Sequence, residues 1–129
     1  MKNSIIIRRE VYEGITDIPH YPISLIYEGH HIDIEDIYIT GMESLYGQIE
    51  EMERSRKGLI TLDGGYRFKL NINANVQGGF DLKFHIEQHK PSFPGDLIMT
   101  GYFHINGENV AQFTQSFKTL VHDGIEMTI

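Results

Sequence analysis

The chain contains no cysteine. Disulfide frameworks and thiolate metal sites are thereby excluded, and a reducing compartment is the expected home. Long apolar runs are missing as well: none approaches the roughly 20 residues that a membrane helix needs. The start, MKNSIIIRREVYEG, has too short an apolar stretch for a signal peptide and carries Arg8 and Arg9 directly behind it. These absences predict a soluble, cytoplasmic protein with no membrane partner. No Gly-x-Ser-x-Gly elbow, Walker loop or dinucleotide fingerprint is present. No catalytic residue and no cofactor are therefore assigned, and the expectation is a protein that is not an enzyme.

Positive charge is absent from a long stretch. Residues 10–53 carry eleven acids and no lysine or arginine, whereas residues 54–129 carry seven acids and eight bases. The formal net charge of −7 thus belongs to the first part of the chain. Such asymmetry bears on association rather than fold. Direct nucleic-acid binding needs a basic footprint and is not expected; a cationic protein partner is. A surface that is acidic only to stay soluble is the plainer account of the same charge.

What remains is an ordinary globular composition. The 129 residues, 40% hydrophobic and 22% charged, are enough for one core and too few for two domains. Residues 1–129 are expected to form a single domain. NSIIIRREV and ISLIYE (23–28) read as strands, separated by a loop that Pro19 and Pro22 keep out of a central ladder. In GHHIDIEDIYITG (29–41), Ile32 and Ile34 have one parity and Ile37 and Ile39 the other. A regular strand alternates faces, so Glu35-Asp36 must mark a bulge, a turn or a division into two extended pieces.

Met42, Leu45, Tyr46, Ile49 and Met52 form a helical stripe, predicting a central helix over about 41–57. Thr40 and Glu43 fit a capping box at its start, and Gly58 a stop at its end. Gly47 in its middle costs about 1 kcal/mol relative to alanine, which points to close packing there or to a bend. A hairpin follows, with Tyr66, Phe68, Leu70, Ile72, Ala74 and Val76 on one face of its first strand and Phe80, Leu82, Phe84 and Ile86 on one face of its second. A three-residue loop, 77–79, would pair Val76 with Phe80 and set Lys69 across from Glu87.

PSFPGD (91–96) reads as a loop and LIMTGYFHI (97–105) as another strand, with Leu97, Met99, Phe103 and Ile105 inward. Val110, Phe113, Phe117, Leu120 and Val121 predict a C-terminal helix over about 109–122, closed by Gly124. IEMTI is a final short strand or a tail. The expected class is α+β: a mainly antiparallel twisted sheet with both helices packed on it.

The seven histidines do not make a metal site. His85 and His89 lie about 13 Å apart along a strand. His30, His31 and Asp33 are compact, but adjacent residues of an extended chain point oppositely, so His30 cannot join the other two. Surface histidines beside a turn are expected, with no metal. The polar face of the hairpin, with Lys69, Asn71, Asn73, Lys83, His85 and Glu87, reads as a solvated sheet face or a ligand-binding one.

GGYRFKLNINANV, FDLKFHIEQH and LIMTGYFHI, followed by the amphipathic NVAQFTQSFKTLV, resemble in layout the bacterial immunity proteins of contact-dependent toxin systems, the WapI-type family in particular. The likeness covers about sixty residues and carries no residue correspondence. It implies neutralisation of a cognate toxin domain by tight, stoichiometric binding. The residues expected at such an interface are Asp33, Glu35 and Asp36, then Glu43, Glu50, Glu51 and Glu53 on the helix, with Tyr38 and Tyr46 as aromatic anchors. Two rivals stand beside it. One is a phage-type inhibitor or nucleic-acid mimic acting on a host enzyme; the other is a small-ligand or structural module. Oligomeric state is left open.

Overall fold

Period-two alternation of apolar residues organises most of this molecule. A computed structural model describes residues 2–11, 18–35, 37–88 and 97–129. The elements run β1 (Ser4–Ile7), β2 (Ile23–Tyr27), β3 (His30–Ile34), α1 (Met42–Ser55) and β4 (Leu59–Asp63). They continue as β5 (Phe68–Ala74), β6 (Phe80–Gln88), β7 (Leu97–Ile105), α2 (Val110–Asp123) and β8 (Met127–Thr128). The class is α+β, and its antiparallel strands are divided between two four-stranded sheets. One has the order β3-β2-β1-β8 and the other β4-β5-β6-β7.

One apolar cluster joins both sheets and both helices. The first sheet buries Ile5, Ile7, Ile23, Leu25, Ile32, Ile34 and Met127, and the second buries Ile60, Leu62, Phe68, Leu70, Ile72, Phe80, Leu82, Phe84 and Ile86. Each large side chain fully buried here contributes about 1.5–3 kcal/mol. The helices pack on each other, α1 also against β4 and α2 against β8. Phe113 of α2 meets Phe80 edge-on at 5.8 Å between ring centroids. Tyr27, at the end of β2, meets Phe84 at 5.0 Å and Phe103 at 5.7 Å, so an aromatic side chain of one sheet closes the core of the other.

The central helix lies inside the expected span, but both of its ends differ from expectation. Gly41, in the left-handed conformation, takes the N-cap position and no side-chain cap bond forms, so Thr40 and Glu43 make no capping box. At the other end Arg56 adopts φ 59° and donates its N–H to Met52 O; the reversal therefore happens two residues before Gly58. Among the described residues nothing lies within 4 Å of where a Cβ of Gly47 would stand, so close packing against them is not its reason.

The hairpin keeps its faces and changes its register. Ala74, not Val76, lies opposite Phe80, Ile72 opposite Leu82, and Lys69 opposite His85 rather than Glu87. The connection is longer than expected because Asn75 organises it. Its backbone N–H bonds Gly79 O at 3.0 Å, and its side-chain Oδ1 accepts from the N–H groups of Gln77 and Gly79 at 3.0 Å each. A shift of two residues leaves parity intact, so the same side chains point inward except at the ends. Val76 becomes fully exposed, and Tyr66 is exposed in a 3-10 turn, Gly65–Arg67.

The parity break in 29–41 resolves as a division. β3 ends at Ile34, and Ile37 and Ile39 are buried beyond it outside any strand, with Ile37 O accepting from Tyr21 N at 2.7 Å. Asp36 and the loop 91–96 lie outside the described residues. In β7, Met99, Phe103 and Ile105 are half-buried as expected, but Leu97 is exposed. IEMTI resolves as β8, paired to β1.

Candidate functional site

The expected acidic residues fall into three places rather than one. Asp33 lies on the solvent side of the first sheet. A hydrogen bond from the Ser24 hydroxyl, ahead of the charge and hydrogen bond of His31 at 3.1 Å, holds its carboxyl below the usual carboxylate range. Ser24, His31 and Asp33 look like a nucleophile, base and orienting acid, but both partners converge on the carboxylate. The imidazole is not interposed between hydroxyl and acid, which a triad requires. Glu35 follows β3 with an exposed side chain, and its backbone carbonyl accepts from the Arg67 guanidinium at 2.8 Å. Asp36 lies outside the described residues.

A second group surrounds the N-terminus of α1. Tyr38 is half-exposed and packs against the buried His20, ring centroids 5.9 Å apart. Glu10 stands 3.4 Å from His20 Nε2. Tyr38 and Glu43 line a cleft of about 440 Å³ with Arg9, Ile18, Tyr21 and Val121. Burial raises the Tyr21 phenol above its ordinary range, with Arg9 opposing that and Glu43 adding to it. The Arg9 guanidinium donates to the carbonyl of Val121 near the C-terminus of α2, so its charge is used within the fold.

Glu50, Glu51 and Glu53 form the third group, along the groove between α1 and α2, of about 700 Å³. Tyr46 lines it too; its hydroxyl donates to Glu50 Oε2 at 2.8 Å, and its ring stands edge-on to His122 at 5.4 Å. The acids are not alone there. Arg54 forms a two-pronged ion pair with Glu51, and Arg56 and Lys118 line the same groove. The uninterrupted acidity along residues 10–53 is thus partly offset in space by cations from later in the chain.

The outward face of the second sheet is a polar grid. Asp81 stands beside His104, with Nδ1 2.8 Å from its carboxylate, and Asn75 Nδ2 donates to the same oxygen at 3.2 Å. The His104 bond, then that of Asn75, lowers the Asp81 carboxyl below its usual range. Lys83 lies over the exposed ring of Tyr102, 5.8 Å from its centroid. Thr61 donates to Asn71 Oδ1 at 2.7 Å. Asp81, His104, Lys83, Thr61 and Asn71 each find a partner within the grid, as on a solvated sheet face.

A fourth feature was not expected from sequence. A cleft of about 340 Å³ runs between α1 and β4, lined by Ser44, Gly47, Gln48, Glu51, Met52, Lys57, Gly58, Leu59 and Ile60. Neighbouring strand residues point to opposite faces of a sheet. A cleft that touches both Leu59 and Ile60 therefore lies along the edge of the strand.

Among the described residues no group of three or more histidine, aspartate and glutamate side chains is placed to hold a metal ion, and no helix is long and apolar enough to cross a membrane. Comparison of the chain with protein-family models, with curated proteins and with solved structures finds no match.

Proposed function

We propose that this chain is a non-enzymatic binding protein that neutralises a cationic protein partner through an acidic surface, as a bacterial immunity protein neutralises its cognate toxin domain. The observation that carries this reading is the exposure of the acids in the base-free stretch. Of its described acids, Glu10, Glu28, Asp33, Glu35, Glu43, Glu50 and Glu51 are exposed and only Glu53 is half-buried. Exposed carboxylates of one sign speed encounter with a cationic partner and reject acidic ones. Tyr38, half-exposed on the same stretch, supplies an aromatic anchor of the kind that concentrates binding energy. The resemblance in layout to WapI-type immunity proteins, read from the sequence alone, adds to this reading.

The test begins with the product of the adjacent gene. Its affinity for the purified chain is measured by titration calorimetry at about 50 and 200 mM salt, a range over which surface charge pairs are progressively screened. Two charge-reversed variants are compared, one at Asp33 and Glu35, the other at Glu43, Glu50 and Glu53. At least one is expected to weaken binding tenfold or more at the lower salt, with the difference shrinking at the higher. Binding that ignores both salt and charge reversal would sink the acidic-surface reading.

A further inference from the structure

The first turn of α1 carries donors that the helix itself does not satisfy. The Leu45 N–H is bonded to Gly41 O at 2.9 Å. Ahead of it, the amides of Met42, Glu43 and Ser44 have no intrahelical acceptor. The N-cap residue is Gly41, which has no side chain to supply one. Met42 and Glu43 line the cleft of about 440 Å³ that they share with Arg9 and Tyr38. The partial positive charge of this helix end therefore faces a recess rather than open surface.

A second donor reaches the same cleft from another element. Tyr21 lines it and is only 4% exposed. Its backbone N–H is bonded to Ile37 O at 2.7 Å, which fixes it beside the chain leading into α1. Its hydroxyl has no hydrogen-bond partner among the described residues. What acts on that hydroxyl is burial, then the opposed charges of Arg9 and Glu43, both of which line the cleft. A phenol buried to this degree ordinarily finds a partner, and leaving it without one is costly.

The rest of the cleft is apolar. Ile39, Met42 and Val121 are buried at its floor, while Ile18 and Tyr38 stand 60% and 45% exposed at its rim. Donors converging at one end and hydrocarbon elsewhere describe a site for a small amphipathic anion. Side-chain charge limits that anion. Arg9 spends one N–H on the Val121 carbonyl and keeps others, whereas the exposed Glu43 opposes it. Two opposed side chains and a helix end worth about half a charge accept one negative charge and disfavour two.

We propose that this cleft binds a small apolar monocarboxylate, its oxygens accepting from the amides of Met42 and Glu43 and from the Tyr21 hydroxyl. Its hydrocarbon part lies between Ile18, Pro19 and Tyr38. The site goes beyond the acidic-surface reading and does not rest on it, since Glu43 opposes the ligand rather than holding it.

The probe is phenylacetate, titrated into the isotope-labelled chain and followed by backbone amide shifts. Its comparators are phenylacetamide, of the same shape without the charge, and phenyl phosphate, largely dianionic above neutral pH. Phenylacetate is expected to shift Met42 and Glu43 most, and both comparators to bind about tenfold more weakly, the worth of one charge-assisted hydrogen bond. Tyr21→Phe removes only the hydroxyl. It is expected to lower phenylacetate affinity about fivefold or more, with the Tm unchanged or raised because no bond within the chain is lost. Glu43→Gln is expected to raise the affinity.

Equal binding of phenylacetamide, or tighter binding of phenyl phosphate, would overturn the monocarboxylate. Shifts centred away from the first turn of α1, or full affinity in Tyr21→Phe, would overturn the site. So would the absence of shifts at about 10 mM phenylacetate, where even a millimolar ligand is mostly bound.

Discussion

The hydroxyl of Tyr27 in one sheet accepts the backbone N–H of Tyr102 in the other at 3.2 Å. A side chain from a strand end thereby occupies a backbone donor at the middle of an unpaired edge. Tyr27→Phe keeps the ring contacts with Phe84 and Phe103 and removes only this bond. The expected cost is about 1 kcal/mol, the usual net value of a hydrogen bond. Hydrogen exchange at the Tyr102 amide should accelerate more than at its neighbours. Unchanged exchange there would mean that the edge is protected by something else.

Gly101 sits directly beneath that contact. A Cβ at this position would lie 2.5 Å from the Phe84 ring and 2.6 Å from the Tyr27 ring, and the fully buried Phe84 has no room to retreat in a filled core. Gly101→Ala is therefore expected to destabilise the protein by about 1–3 kcal/mol, the range for overpacking. That reverses the gain that alanine ordinarily gives over glycine. Chemical denaturation with an unchanged m-value would report it.

One substitution discriminates the observed hairpin register from the one that the apolar pattern alone suggests, and a second is its buried control. Val76 is fully exposed, so Val76→Asp should change stability by no more than about 0.5 kcal/mol. Leu70, buried opposite Phe84, should cost about 2–5 kcal/mol when cut to alanine. With Val76 facing inward the first substitution would cost several kcal/mol, and thermal melts of the pair settle the matter.

The acid limb of the stability curve should depend on Asp81. Its carboxyl is held below the usual range by His104 and Asn75, so the folded state favours the ionised form more than the unfolded state does. That contribution is fully present above the ordinary carboxylate range and is lost as pH falls through the lowered value. Because the pair is exposed, it amounts to less than about 1 kcal/mol. Asp81→Asn should lower stability at neutral pH by that small amount and flatten the decline between neutral and acid pH. Parallel curves for the two proteins would refute the assignment.

Elements whose signal is local were legible in the sequence. The stripes of α1 and α2, the inward faces of β5 and β6, and the break after Ile34 all follow from spacing alone. The hairpin register was not, because it is set by the Asn75 side chain capturing loop amides, a choice that apolar parity cannot see. Both ends of α1 depended on backbone conformation at Gly41 and Arg56 rather than on a motif. Division into two sheets, and hence which strand is left at an edge, depends on partners far apart in sequence. For the same reason Tyr21 gave no signal, because only folding sets it in a cleft with the first turn of α1. The acids were identified as a run in sequence, but Lys118 of α2 shares a groove with three of them only through folding.

The pairing of β8 with β1 has a kinetic consequence. Ile5 and Ile129 exchange two backbone hydrogen bonds, at 3.1 and 2.8 Å, so the first sheet is complete only when residues at opposite ends of the numbering meet. Closing a loop of that length carries an entropic penalty that local contacts do not, and non-local pairing slows folding. The β4–β7 meander, built from sequential neighbours, can form before that closure. Its early appearance would leave β1 exposed as a sticky edge during refolding. Dilution, rather than added stability in the second sheet, should then be the more effective remedy for aggregation.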